Sequence, residues 1–252
     1  MFRESNARPT LGIVGFGAFG RLMARHLGPY FRLCAYDPSP PAPDVAGFED
    51  ITFADLETVA RSPVVVLATP VDRIRETVAA IAPHMQPGAL VLDVGSVKSM
   101  PAGIMKQGLP DNVDVVATHP LFGPQSAVDG IAGLKIAVCP IRGGQGRRVI
   151  AFLKSRLRLD VIVTTPEAHD REVAAAQGLT HLIAKVLVRM EPLPTAMTTR
   201  SFDLIIEAVG MVRHDTAEVF HAIERANPHA HDVRRRFFDL ASALDAELAG
   251  ET

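Results

Sequence analysis

The sequence lacks the features by which several classes of protein are recognised. It has two cysteines, Cys34 and Cys139, each inside an apolar run, so a disulfide framework is excluded and two small buried hydrophobic side chains are expected. The 26 basic and 28 acidic residues are interspersed, and the net charge of -2 offers no electrostatic footprint for nucleic acid or lipid headgroups. No spacing of histidine and cysteine is typical of zinc, so we expect no metal site.

Long apolar runs are missing as well. No segment stays apolar for the roughly 18 residues that a membrane span needs, and the start, MFRESNARPT, has no apolar stretch that could act as a signal peptide. We therefore expect a cytoplasmic protein without a membrane partner. The sequence does have 48% hydrophobic residues over 252 positions, enough for one well-filled α/β domain and a smaller second domain.

Short apolar runs alternate with helical patterns through the first two thirds of the chain. The runs typical of strands are LGIVGF, LCAY, VVVLA, LVLDV, VDVVAT, KIAVC and DVIVT. Their alternation with helices predicts the α/β class, with a Rossmann-type doubly wound parallel sheet. We assign this domain to residues 1–165.

The pattern changes after Thr165. Thr165 as N-cap, Pro166 at the first helical position and Glu167 in the first turn predict a long helix, and no strand-like run follows. We expect a smaller all-helical domain over residues 166–252. Because it has fewer than about ninety residues and many apolar positions, we expect it to bury surface against a second copy of the chain in a homodimer.

The stretch GIVGFGAFGRL holds a glycine motif of the order G-x-G-x-x-G between an apolar strand and an amphipathic helix. The first glycine permits a tight turn, the second lets a pyrophosphate approach the backbone, and the third lets helix and strand pack closely. The motif predicts a dinucleotide-binding loop, although a Rossmann-like fold without a dinucleotide stays open as an alternative. The predicted cofactor-binding residues of this loop are Gly15, Phe16, Gly17, Ala18, Phe19 and Gly20.

Asp37 ends the next strand, 22 residues after Gly15, where an acidic side chain can accept hydrogen bonds from an adenosine ribose. Its carboxylate would repel a 2′-phosphate, and the following PSPPAP holds no arginine or lysine to bind one. NAD is therefore the expected cofactor, with NADP as the alternative.

Three segments are expected at the ligand edge, because ligands bind beyond the carboxyl ends of parallel strands. They are Thr69, Pro70 and Val71, then GSVKS at residues 95–99, and HPLFGP at residues 119–124. His119 precedes a proline, which favours extended backbone, and a histidine held at this edge is a candidate general base. The alternative is a histidine that only packs.

Four further polar residues are interpreted from their positions in the predicted elements. Ser96 either hydrogen-bonds the same substrate oxygen as His119 or caps the following helix, and Lys98 is interpreted as a surface or capping charge. On the long helix, Gln177 and His181 are four residues apart and so share a face, where they can contact a substrate. Packing within the helical domain is the alternative for His181.

The ordered series GIVGFGAFG, DVGSVKSMP, THPLFGP, HDREVAAAQGLTH and TTRSFDLI resembles the arogenate and prephenate dehydrogenases of tyrosine biosynthesis, in their short, plant-like form. The likeness runs through nearly the whole chain, and THPLFGP following DVGSVK is its specific part. The resemblance implies an oxidative decarboxylation of a small cyclohexadiene. Hydride leaves C4 for the nicotinamide, the 4-hydroxyl loses its proton, and the ring loses carbon dioxide as it becomes aromatic.

The resemblance also implies roles for single residues. His119 becomes the base at the 4-hydroxyl, Ser96 hydrogen-bonds the same region, and His181 contacts the substrate. Gln125 stands where most members have glutamate, so any ionic latch made by that carboxylate is neutral here. Asp129 stands where an acidic residue goes with arogenate, whose ammonium group it attracts; the alternative is a turn residue in VDG.

Two arginines are candidates for the ring carboxylate, which many members of the family bind through an arginine of the helical domain. They are Arg213, which we include among the substrate-binding residues, and Arg200. The resulting prediction is an NAD-dependent arogenate dehydrogenase, with prephenate dehydrogenase as the alternative. A β-hydroxyacid dehydrogenase relying on Lys185, or a Rossmann protein that senses NAD without turnover, would leave the His119 segment without a role.

Overall fold

The structure is a computed structural model that describes residues 8–39 and 47–250. The chain divides into two compact units, Met1–Pro166 and Glu167–Thr252. The first unit holds a sheet with helices packed on it, and every regular element described between residues 167 and 250 is helical.

The sheet of the first unit has eight strands within the described residues. They are β1 (Thr10–Val14), β2 (Arg32–Tyr36), β3 (Thr52–Phe53), β4 (Val64–Leu67), β5 (Leu90–Asp93), β6 (Asp114–Pro120), β7 (Lys135–Arg142) and β8 (Asp160–Val163). Their order across the sheet is β3-β2-β1-β4-β5-β6-β7-β8. Every neighbouring pair is parallel except β6 and β7, which are antiparallel.

The predicted Rossmann-type α/β sheet is confirmed, with two differences in detail. The two-residue strand β3 was not predicted, because two exposed residues give no apolar pattern. The reversed direction of β7 was not predicted either, since an apolar run does not encode the direction of its partner. Both cysteines are buried in strands, Cys34 in β2 and Cys139 in β7, as expected.

Helices cover both faces of the sheet and explain why its central strands are continuous apolar runs. The helices of this unit are α1 (Ala18–Leu27), α2 (Leu56–Ala60), α3 (Ile74–Ile81), α4 (Ser99–Gly108) and α5 (Gly146–Ser155). Val78 of α3 and Met105 of α4 share one core with Val115 of β6, whereas Leu22 of α1 and Val149 of α5 share another, on the opposite face. An apolar cavity of about 270 Å³ lies on the α1 and α5 side, and Phe19 alone of the predicted site residues lines it.

The second unit contains α6 (Pro166–Arg189), α7 (Arg200–Val212), α8 (Ala217–His221) and α9 (Ala230–Ala249), with a π-helical turn at Ala222–Ala226 directly after α8. The helix predicted to begin at Pro166 does begin there. Thr199 caps α7 and Thr216 caps α8, each accepting a hydrogen bond from a backbone N–H of the first turn.

Candidate functional site

The loop between β1 and α1 has the backbone geometry that its glycine pattern requires. Gly15 has a φ of +97°, and a Cβ at this position would lie 2.6 Å from the Ala68 carbonyl oxygen. Gly20 approaches the Gly15 carbonyl so closely that a Cβ would overlap its oxygen. A side chain at either position must therefore displace backbone.

Gly17 has a different reason to be glycine. It is the N-cap of α1, with a φ of -66°, and a Cβ at this position would meet no atom within 4 Å. The first N–H groups of a helix have no partner inside the helix, and the positive end of the helix dipole lies there. Open space in front of these groups fits a pyrophosphate, which a side chain at Gly17 would obstruct.

Asp37 lies beside this loop, directly after β2. Its Oδ2 accepts a hydrogen bond from the Phe16 N–H at 2.7 Å, and its Oδ1 accepts one from the Ser39 N–H at 2.8 Å. These bonds fix the carboxylate at the loop, and each oxygen keeps a lone pair for a ribose hydroxyl. Residues 40–43 of the stretch without basic side chains lie outside the described residues.

Thr69, Pro70 and Val71 follow β4 and adjoin the glycine loop. A Cβ at Gly15 would lie 3.0 Å from the Thr69 nitrogen, and a Cβ at Gly95 would lie 3.0 Å from Cγ2 of Val71. The Thr69 hydroxyl is buried and has no hydrogen-bond partner in the part of the chain that the structure describes. Because an unpaired buried hydroxyl is costly, this group fits a ligand atom at the same edge.

His119 lies inside β6, one residue before its end. It pairs with Ala137 of β7, and the whole residue is 3% exposed. Extended backbone at His119 is confirmed, but the strand that the sequence ended at Thr118 continues to Pro120, because the antiparallel pairing with β7 extends it. The imidazole is thus held by a strand, which is more rigid than the predicted loop.

Ser96 and Lys98 occupy the turn between β5 and α4. The capping interpretation of Ser96 is wrong, since α4 begins at Ser99 and Lys98 is its N-cap. The surface interpretation of Lys98 is wrong too, because its side chain is fully buried against Asp93. An acidic partner at the end of β5 neutralises the charge, and this permits burial.

Gln125 and Asp129 lie in the turn-rich segment after β6. The Gln125 Oε1 atom is buried without a hydrogen-bond partner among the described residues, and Asp129 is exposed. Asp129 precedes Gly130, which has a φ of +106° and ends the turn. Turn geometry and a substrate contact at Asp129 are compatible.

In the second unit, Gln177 and His181 lie one turn apart on α6. His181 is buried, with Nδ1 2.9 Å from the Gln177 carbonyl oxygen and Nε2 3.0 Å from Oδ2 of Asp215. Both ring nitrogens face oxygen atoms, so Gln177 and Asp215 fix the orientation of the ring. Asp215 was missed from the sequence, because it is 34 residues from His181 and follows α7 without a motif.

The candidate cations of the second unit have partners on that unit. Nη2 of Arg213 lies 2.9 and 3.2 Å from the two carboxylate oxygens of Glu191, and Arg200 pairs with Glu207 at 3.1 Å on the exposed surface. The Lys185 ammonium lies 5.6 Å from the centroid of the Phe220 ring. Arg213 is less exposed than Arg200, which makes it the better placed of the two arginines for an anion.

Within the first unit, the structure brings together the glycine loop, Asp37, the segment 69–71 and the turn carrying Ser96. His119 is joined to that turn through Thr118 and Asp93. Across residues 8–39 and 47–250, the structure contains no group of three metal-binding side chains. Over the same residues, no helix has the length and apolarity to cross a membrane.

A parallel sheet with this glycine loop and an acidic residue after the second strand defines the class: a Rossmann-type nucleotide-binding protein. Residues 21–135 match the family model described as prephenate dehydrogenase, nucleotide-binding domain. Over these residues the chain is similar to the arogenate/prephenate dehydrogenases, in agreement with the resemblance in its sequence.

Two curated relatives illustrate the similarity. The chloroplastic arogenate dehydrogenase 1 of Arabidopsis thaliana is 25% identical over 257 residues, which cover 98% of this chain and 40% of the relative. A probable arogenate/prephenate dehydrogenase of Methanocaldococcus jannaschii is 26% identical over 206 residues, which cover 77% of this chain and 46% of the relative. The chain thus spans less than half the length of these two proteins.

Solved structures share the fold. A prephenate dehydrogenase from A. aeolicus, in complex with hydroxyphenyl propionate and NAD+, matches with a TM-score of 0.77 at 19% identity, covering 98% of this chain and 93% of that one. A Synechocystis arogenate dehydrogenase matches with a TM-score of 0.68 at 18% identity, covering 96% and 92%.

Proposed function

We propose that this chain is an NAD-dependent arogenate dehydrogenase that converts arogenate into tyrosine. The observation that carries the proposal is the buried His119, held at the carboxyl end of β6 in the same sheet as the glycine loop. Ligands of such sheets bind at this end of the strands, so a base there lies on the cofactor's side. The proteins of Arabidopsis thaliana and Synechocystis that are named arogenate dehydrogenases support arogenate as the substrate.

The first unit is proposed to bind the nucleotide, and NAD when bound supplies the acceptor for the hydride that leaves C4 of the ring. Gly17 and the N-terminus of α1 would hold the pyrophosphate, and Asp37 would accept hydrogen bonds from the ribose. The unpaired Thr69 hydroxyl fits a polar group of the ligand beside the loop.

The protein's own part in the reaction is to move one proton and to position the ring. His119 takes the proton of the 4-hydroxyl as the C4–H bond breaks, and Ser96 donates a hydrogen bond to the same oxygen. The bond between the ring and its carboxylate then breaks, its electrons complete the aromatic ring, and the oxygen regains a proton. The products are tyrosine, carbon dioxide and the reduced nicotinamide.

The second unit is proposed to supply substrate contacts from Gln177 and His181, with Arg213 for a carboxylate. The His181 ring would do so from a fixed orientation, since Gln177 and Asp215 hold its two nitrogens. From the first unit, Gln125 and Asp129 would contact the side chain of the substrate, where Asp129 attracts the ammonium group of arogenate.

Prephenate dehydrogenase is the second candidate, because the turn gives Asp129 a structural role that requires no contact with arogenate. The deciding measurement is the initial rate of nicotinamide reduction with arogenate and prephenate, each against NAD+ and NADP+. A higher kcat/KM for arogenate with NAD+ supports the proposal. A preference for prephenate means that Asp129 acts only as a turn residue. The absence of activity with both substrates contradicts the proposed chemistry.

Replacing Asp37 with asparagine should narrow the preference for NAD+ over NADP+ by at least about tenfold, or ~1.4 kcal/mol. Asparagine keeps an acceptor oxygen but loses the charge that repels a 2′-phosphate. The ratio of kcat/KM for the two cofactors measures the effect. Asp55→Asn, which neutralises the exposed N-cap of α2, is the matched control and should leave the ratio unchanged. An unaltered ratio in Asp37→Asn contradicts the role of Asp37.

The chain is also proposed to form a homodimer through its helical unit, in the cytoplasm. Leu240, Leu244 and Leu248 are 61%, 55% and 80% exposed, and their spacing of four residues places them on one face of α9. Leu204 and Ile205 add exposed apolar surface on α7. A row of this kind is stabilised when a second copy covers it.

Replacing Leu244 with glutamate should shift the protein from dimer to monomer, since a charge cannot be buried unpaired in an apolar contact. Light scattering after size exclusion measures the mass. Val163→Glu, the same change at an exposed apolar residue of the first unit, is the control and should stay dimeric. A dimer that survives Leu244→Glu but not Val163→Glu places the contact outside α9.

A further inference from the structure

A buried ion pair binds the backbone of the residue that precedes the proposed base. The side chains of Lys98 and Asp93 are both 0% exposed, and the ammonium group donates to Oδ2 of the carboxylate. Pairs of this kind contribute little net stability, because removing two charges from water costs about as much as their attraction returns. None of the roles proposed above uses either residue.

The pair holds the backbone on both sides of the site. Asp93 accepts hydrogen bonds from the N–H of Gly95 at 3.0 Å and from that of Thr118 at 3.3 Å. Lys98 also donates to the Thr118 carbonyl oxygen at 2.6 Å, and the Thr118 hydroxyl donates to the Asp93 carbonyl oxygen at 2.5 Å. Both main-chain polar groups of the residue before His119 are thus bound by side chains.

These bonds take over where the sheet ladder stops. The last register pair between β5 and β6 is Asp93 with Ala117, so the backbone of Thr118 has no further residue of β5 opposite it. The two side chains continue the connection by one residue. They also fix Gly95, which precedes Ser96 in the turn.

We propose that Asp93 and Lys98 are positioning residues that orient His119 and Ser96 toward the reacting hydroxyl. The inference rests on the proposed function in so far as His119 is the base. The pair acts through the Thr118 backbone on one side and the Gly95 backbone on the other. Small displacements of a catalytic group are costly, about 10²-fold for 1 Å, which is why such a connection matters for rate.

The test compares a broken pair with a neutral pair. Lys98→Met leaves a buried carboxylate unpaired and is expected to lower Tm as well as activity. The double variant Asp93→Asn with Lys98→Met removes both charges, and most of the Tm should return. Its kcat should nevertheless stay at least about tenfold below that of the unchanged protein, with KM for the substrate within about threefold.

Arg142→Met is the matched control, because Arg142 makes the same kind of connection at the other end of the same strand. Its guanidinium donates to the carbonyl oxygens of Val113 at 3.0 Å and Pro110 at 2.6 Å. Arg142→Met should therefore lower Tm without lowering kcat. A folded neutral-pair variant with kcat within about twofold of the unchanged protein would overturn the inference.

Two readouts separate this inference from the proposed function. In a background that carries both His119→Asn and Ser96→Ala, neutralising the pair should cause no further loss of kcat, because a positioning residue acts through the groups it positions. The imidazole resonances of His119, identified by their absence in His119→Asn, should shift in the neutral-pair variant and not in Arg142→Met. If the His119 resonances do not shift in the neutral-pair variant, the inference is overturned. If the protein oxidises neither substrate, the proposed function is contradicted, but the resonances still test the inference.

Discussion

His119→Asn is expected to lower kcat by about 10²- to 10⁴-fold, the usual contribution of a positioned general base. Asparagine preserves polarity and approximate size at a residue that is 3% exposed within β6, but it cannot take up a proton at neutral pH. The affinity for NAD+ should be unchanged, since the glycine loop is a separate part of the unit. Initial rates and calorimetric titration with NAD+ measure the two quantities.

His84→Asn serves as the control for this substitution. His84 lies in the turn after α3, and its side chain is 33% exposed. The kcat of the His84→Asn variant should stay within about twofold of that of the unchanged protein. Near-complete activity in His119→Asn would remove the base from the proposed mechanism. A loss of NAD+ binding together with activity would mean that the end of β6 had rearranged.

Gly17→Val is expected to weaken NAD+ binding by at least about tenfold, or ~1.4 kcal/mol, while the unit stays folded. The backbone at this N-cap has a φ of -66°, and a Cβ would meet no protein atom within 4 Å. The loss of stability should therefore not exceed about 1 kcal/mol. The new side chain would instead occupy the space through which a pyrophosphate reaches the helix N-terminus.

Two other glycines separate binding from folding. Gly144→Val places the same side chain at an exposed position, again with no atom within 4 Å of the new Cβ, and should leave NAD+ affinity unchanged. Gly20→Val forces a Cβ against the Gly15 carbonyl and should lower Tm before any ligand is added. Unchanged NAD+ affinity in Gly17→Val would show that no phosphate group passes over this residue.

Local chemistry explains which parts of the fold and site could be predicted. The glycine loop could be predicted because its geometry depends on the absence of side chains at fixed positions. The start of α6 could be predicted because proline is favoured in the first turn of a helix. The direction of β7 could not be predicted, because an apolar run is compatible with either strand direction. The true end of β6 depends on that same pairing.

Contacts that depend on charge pairing across the fold were harder to predict. The sequence predicts a surface group at Lys98, because lysines are rarely buried. The available signal was Asp93, an acidic residue that ends the apolar strand LVLD five residues earlier. Asp215 gave no signal, because only the packing of α6 with the segment after α7 brings it to His181.

The burial of both cysteines in one unit makes thiol chemistry a reporter of that unit alone. Cys34 and Cys139 lie in β2 and β7, and residues 167–252 contain no cysteine. Burial raises the pKa of the Cys34 thiol, and the Asp55 carboxylate raises it further, so little reactive thiolate forms in the closed sheet. Alkylation of the thiols then requires the sheet to open and expose them. Its rate is therefore set by the opening equilibrium of the sheet. A dinucleotide that binds only the closed form would protect both sulfurs in proportion to its occupancy.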